Sequence, residues 1–123
     1  MDQPRVAARW TFERSLTAAD ESGLHWAITV EAPHPGSGQL RYVEQRDGTI
    51  LVQALTVHPA VSRKGLQRAL VDDLAARHVC LLRWRLSDDL ADGATSGAAT
   101  FWSRVCRDHL VALDDADGNR LTA

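Results

Sequence analysis

The chain has 123 residues, 45% of them apolar and 24% charged, with a formal net charge of −2. That length predicts a single domain, residues 1–123, able to bury a core without disulfides or metals, and the balanced charge supplies no basic field for nucleic acid or an acidic membrane. No run approaches the ~18 apolar residues of a spanning helix. The opening MDQPRVAARW does not read as a secretory leader, so a cytoplasmic setting is expected, with Cys80 and Cys106 as free thiols.

The first half reads as strands. Over 5–13, Val6, Ala8, Trp10 and Phe12 alternate with other residues at period two, and Leu24, Trp26, Ile28 and Val30 do so over 24–31. A Pro/Gly-rich stretch, 33–38, precedes a third strand over 40–45. Asp47-Gly48 predicts a two-residue hairpin turn, because the pair accepts the positive φ of a type I′ turn. Residues 49–57 are apolar at both parities, which predicts a central strand covered on both faces. Beyond Pro59 the period changes. Leu66, Ala69, Leu70, Leu74 and Ala75 recur at helical spacing and predict a helix over 65–78. The apolar run 79–86 predicts another strand, parallel to the fourth. A second helix follows over 98–109 with Phe101, Trp102, Val105 and Cys106 inward. Residues 110–113 and 120–122, joined at Asp117-Gly118, predict a closing hairpin. The sum is an α/β (α+β) fold: a mixed, mainly antiparallel sheet with one parallel βαβ crossover and two main helices.

The chemistry concentrates in LTVHPAVSRKGLQRAL, residues 55–70. Arg63, Lys64 and Arg68 crowd the start of the first helix, and no acid stands in its first turn. Charges of this sign oppose the helix dipole by about 0.3–1 kcal/mol each. Two readings account for them. Either the helix start holds an anion, with backbone N–H groups, dipole and side chains all aimed at it and Gly65 allowing close approach, or three solvated cations tolerate a small penalty. The segment is neither a P-loop nor a dinucleotide fingerprint, since it lacks the required glycines and Gly-Lys-Ser/Thr.

It resembles the acyl-CoA-binding motif of the Gcn5-related N-acetyltransferase (GNAT) superfamily, in which an apolar strand and a Val-x-Pro step lead through Arg/Gln-x-x-Gly-x-Gly/Ala into a helix. Leu55, Thr56 and Val57 match the strand, Val57-His58-Pro59 the step, and Ser62-Arg63-Lys64-Gly65-Leu66-Gln67 the loop, continued by Arg68. Ala98, Phe101 and Trp102 match the family's second helix. Ser62 and Gln67 depart from the loop pattern, Cys106-Arg107 replaces a Gly-Phe, and Trp102 stands where members carry tyrosine. Only about eight residues, 16–23, join the first two strands, where members place two helices, so this looks like a trimmed member.

The resemblance implies an N-acyltransferase that moves an acetyl or other acyl group from acyl-CoA to an amine of a small molecule or protein. A catalytically silent module that binds acyl-CoA or a protein partner is the alternative. Leu55, Thr56, Val57, Arg63, Lys64, Gly65, Leu66, Gln67, Arg68, Phe101 and Trp102 would contact the co-substrate acetyl-CoA. The Val57 N–H would serve the oxyanion. His58, Glu31 and Glu44 are the candidate bases. The missing acceptor helices imply a homodimer or partner protein completing that site, and neither nucleic acid nor membrane is expected.

Other constellations read as structure. His78, Cys80, Cys106 and His109 offer two Cys and two His, but their spacing does not favour zinc, and no metal is expected. The run 114–119 has its glycine misplaced for an EF-hand and reads as a hairpin turn. Trp10, Trp26, Trp84 and Trp102 occupy inward periodic positions, which favours core packing over a stacking platform.

Overall fold

A computed structural model describes residues 10–32, 34–58, 65–80, 83–87, 90, 98–115 and 117–121. The elements in chain order are β1 (Thr11–Asp20), β2 (Gly23–Ala32), β3 (Gly38–Gln45), β4 (Ile50–Val57), α1 (Leu66–Arg77), β5 (Arg83–Leu86), α2 (Ala98–Asp108) and β6 (Ala112–Asp114). They build a six-stranded sheet in the order β1-β2-β3-β4-β5-β6. The first four strands form an antiparallel meander, and β4, β5 and β6 run parallel.

The mixed sheet with two helices is as the sequence pattern implies. Its details differ in ways that matter. The first strand lies at 11–20, later than expected, with 5–9 outside the described residues. Residues 16–20 continue β1 with a bulge between Leu16 and Ala18, so the expected eight-residue link is only the turn Glu21-Ser22. That turn is held by Asp20, whose carboxylate accepts from the Ser22 hydroxyl and from its N–H at 2.9 Å. These bonds and His25 pull the Asp20 pKa down to about 2. The β3–β4 loop is one residue longer than expected. Gln45 N–H bonds Thr49 O at 2.9 Å and Gly48 takes φ 88°, a three-residue loop with glycine at the left-handed position.

The strand after α1 begins at Arg83, because His78 ends the helix and 78–80 form a turn. Residues 112–114 pair parallel with β5, so there are two parallel crossovers where one was expected, and the closing hairpin is short: Asp114 bridges Arg120, Leu121 N–H bonds Leu113 O at 2.7 Å and Asp115 N–H bonds Asn119 O at 2.8 Å. Leu110, at φ 58°, makes the reversal between α2 and β6.

Both helices lie on one face. Ile28, Leu40, Tyr42, Ile50, Val52, Trp84, Leu86 and Leu113 point up from the sheet into one cluster with Leu66, Leu70 and Leu74 of α1 and Trp102, Val105 and Cys106 of α2. Across the helices, Arg68 bonds Asp72 at 2.8 Å and Asp108 at 3.0 Å, and His109 bonds Asp72 at 2.7 Å. The expectation that β4 is covered on both faces is therefore corrected: among the described residues no helix covers the second face, and Leu51 there is half-buried. No helix among them is long and apolar enough to cross a membrane.

Candidate active site

The sheet splits beside β4. Pairing with β5 is limited to Ile50–Val52 against Trp84–Leu86. Ser87 closes it, donating N–H to Val52 O at 2.9 Å and its hydroxyl to Gln53 O at 3.1 Å. Beyond that point β4 continues to Val57 with no described strand on that side.

A bulge aims the backbone of that stretch. Against β3, Tyr42 stands opposite Val52 and Arg41 opposite Ala54, so Gln53 is extra. Farther along, His58 N–H bonds Ser37 O at 2.7 Å. In an antiparallel ladder hydrogen-bonded and non-bonded pairs alternate. Thr56 and Ala54 thus face β3 with their N–H groups, while Leu55 and Val57 turn theirs away, toward the split. Without the bulge the parity would be reversed.

The start of α1 faces the same end of the sheet. Gly65 caps it at φ 87°, a conformation that favours glycine. Ala69 N–H makes a helical bond to Gly65 O at 2.7 Å. The first-turn N–H groups of Leu66, Gln67 and Arg68 precede that bond in the helix; among the described residues no side chain caps them, and the first turn holds no acid. Gly38 lets this turn settle on the sheet: a Cβ there would come within 3.2 Å of the Leu66 and Leu70 side chains.

Several expected contacts are narrowed. Arg63 and Lys64 lie outside the described residues. The Arg68 guanidinium is given to Asp72 and Asp108, which raise its pKa, so only its N–H remains for an anion. Leu66 is fully buried and likewise offers only backbone. Trp102 is 2% exposed and packs edge-on to half-buried Phe101 at 5.4 Å, so it belongs to the core cluster.

The three candidate bases are not brought together. Glu44 stands opposite Ile50 and accepts from Trp26 Nε1 at 3.1 Å. It lies six residues along β3 from Gly38, the partner of Val57, or about 20 Å at ~3.3 Å per residue. That places it far from the Val57 end of the split. Glu31, exposed, and His58 are at the correct end. The chain's one tyrosine, Tyr42, is fully buried. Its hydroxyl meets His78 Nε2 at 2.7 Å and accepts from Arg14 at 3.2 Å, so it cannot donate a proton at the split. The four Cys/His candidates also part company: His78 serves Tyr42, His109 serves Asp72, Cys80 is exposed and Cys106 is buried, its thiol pushed up to about 12. The Asp115 carboxylate accepts from Asn119 N–H at 2.8 Å and Asp117 N–H at 3.0 Å, so it is spent on its turn.

One feature of this end was not legible in the sequence. A cavity of about 370 Å³ lies between the β2–β3 turn and the end of β4, lined by Thr29, Ser37, Gln39, Thr56 and His58 around Val57. Residues 33–38 had read only as a separator.

Two solved structures share this fold over most of the chain. One is an acetyltransferase, a GNAT family protein from Streptococcus pneumoniae, 15% identical, with a TM-score of 0.54 over 76% of this chain and 83% of that one. The other is the proposed N-acetyl transferase YhhK from E. coli, solved bound to coenzyme A, 14% identical, with a TM-score of 0.58 over 79% of this chain and 88% of that one. The chain has the GNAT fold. No family model matches the sequence, and no curated protein matches it. In GNAT terms the split strand is β4 and the motif helix is α1. The joint between the first two strands is reduced to a turn, because β1 and β2 pair directly down to Asp20 and Gly23.

Proposed function

We propose that this protein is a single-domain N-acyltransferase that uses acyl-CoA as donor and an amine as acceptor. One observation carries the reading: the half-strand 53–57 has no described strand on its β5 side, the Leu55 and Val57 N–H groups turn toward that side, and the start of α1, with no side-chain cap among the described residues, lies next to it. A pantetheine arm fits such a gap as an added strand, and a diphosphate fits the helix start. Arg63 and Lys64 would add charge there.

In the reaction the amine nitrogen attacks the thioester carbonyl. The nitrogen lone pair forms the new N–C bond and the C=O π pair moves to oxygen; as the tetrahedral intermediate collapses the C=O re-forms, the C–S bond breaks, and CoA leaves as thiolate. The Leu55 and Val57 amides supply hydrogen bonds to the thioester carbonyl and the neighbouring arm. The ammonium proton goes to His58 or Glu31, directly or through water. With Tyr42 buried and tryptophan at 102, no side chain of phenol type protonates the sulfur. A thiol of pKa about 8.5 leaves as thiolate without one.

The test is in two parts. Coenzyme A should raise the melting temperature at saturation, and an amine panel should release free thiol from acetyl-CoA. Absence of any shift with CoA defeats the donor site. A shift without thiol release from any amine leaves a CoA-binding module and defeats transfer.

A further inference from the structure

We infer that the cavity beside Val57 is a subsite for a small hydroxylated primary amine that carries no carboxylate or phosphate. As acceptor subsite it rests on the acyl-transfer reading; as a binding site it stands alone.

The lining makes the first argument. Ligand cavities are usually lined by apolar side chains with a few polar groups. Here three hydroxyls, from Thr29 (which also donates to Glu13 O at 3.4 Å), Ser37 and Thr56, stand with the Gln39 carboxamide and the His58 imidazole, while the Val57 side chain, opposite Gly38, packs against the core on the other face. Such a wall pairs with ligand hydroxyls and rejects an apolar body, which would leave those groups unpaired at about 1–3 kcal/mol each. Thr29, Gln39 and Thr56 are cross-strand neighbours in one row, Thr29 opposite Gln39 and Gln39 opposite Thr56. Their side chains therefore stand on one face about 5 Å apart, fixed by the sheet.

The second argument is an orphan. Ser37 is 7% exposed, and its Oγ is buried with no hydrogen-bond partner among the described residues. Buried hydroxyls are nearly always paired. Rotation about one bond turns this one toward a ligand.

Charge fixes the class. Glu13 stands opposite Thr29, and Glu31 lies two residues farther on the same face, both exposed. Neither Lys nor Arg lines the cavity among the described residues. Arg41, on the same face, is one step farther from this end of β3. An ammonium is favoured beside the two carboxylates and an acidic group is not. A volume of 370 Å³ is near the low end for ligand cavities and suits a molecule of monosaccharide size.

The experiment titrates the protein with glucosamine and with 2-amino-1,3-propanediol, with and without CoA, by NMR or calorimetry. Serine (a carboxylate in place of one hydroxymethyl) and phenethylamine serve as comparisons. At least one hydroxylated amine should bind saturably in the millimolar range or tighter, at least about tenfold tighter than serine or phenethylamine. Thr29→Val and Gln39→Leu, which keep side-chain shape, should each weaken it about tenfold and leave the CoA-induced melting shift unchanged. Binding that persists without any CoA shift defeats the acyl-transfer reading and keeps the subsite. The inference is overturned if CoA binds but neither hydroxylated amine does, if serine or phenethylamine binds as well, or if both folded variants bind like the parent.

Discussion

Val57→Pro isolates one backbone group. The N–H at position 57 points away from β3, since His58 N–H takes the bond to Ser37 O and Val57 falls at the non-bonded pair with Gly38. Proline there removes no ladder hydrogen bond, and its ring enters the open side of β4. Proline is tolerated where a strand N–H faces away from its partner, so the folded state should lose no more than about 1 kcal/mol. Thr56→Pro is the contrast: it deletes an N–H facing Gln39 and should cost at least the ~1 kcal/mol of a hydrogen bond more. If the Val57 amide meets the developing oxyanion, turnover with acetyl-CoA should fall about 10²–10³-fold, or roughly 2.7–4 kcal/mol. If it holds only the pantetheine arm, KM for acetyl-CoA should rise about 2- to 13-fold, the equivalent of roughly 0.5–1.5 kcal/mol, with kcat kept. The assay is thiol release under varied acetyl-CoA, with a urea melt of each variant. A folded Val57→Pro protein whose kcat and KM match the parent would refute the placement of this amide.

Other outcomes follow from the packing. Gly23→Ala sets a Cβ against the Glu44 carbonyl oxygen at φ 139°, and should cost about 1–3 kcal/mol in a urea melt. Gly48→Ala, at φ 88° in open space, should cost about 1 kcal/mol, so equal losses would contradict the clash. Burial lowers the pKa of His78, with Arg14 and Arg77 acting the same way and Glu44 opposing. The unfolded chain then binds more protons below pH ~6.5, so stability is present above that value and falls as pH drops through it. His78→Gln, still able to accept from Tyr42, should flatten this acid-side loss, measured as denaturation midpoint against pH. A thiol reagent at neutral pH should modify exposed Cys80 at once and reach Cys106, held near 12 in the core, only on unfolding. Rapid labelling of two thiols per chain would contradict that burial.

Periodicity and composition were enough for β2, β3, β4, the motif helix and the second helix, because each buries one face and its apolar spacing records that face, while β1 lies later in the chain than its alternation implied. Leu66, Leu70 and Leu74 meet the sheet as their spacing requires. The 55–70 segment likewise located the split strand and helix start, since a Val-x-Pro step followed by a glycine-led helix is local in sequence. What sequence could not fix was set by partners distant along the chain. The side of β4 to which Leu55 and Val57 present their N–H groups depends on one extra residue, Gln53, counted only against β3. The parallel pairing of β6, the surrender of Arg68 to Asp108, the distance of Glu44 from Val57 and the assembly of Thr29, Ser37, Gln39 and Thr56 into one wall arise because strands and helices far apart in sequence are brought side by side. Alternation tells which face a residue takes. Register, which only neighbouring elements supply, tells what stands next to it.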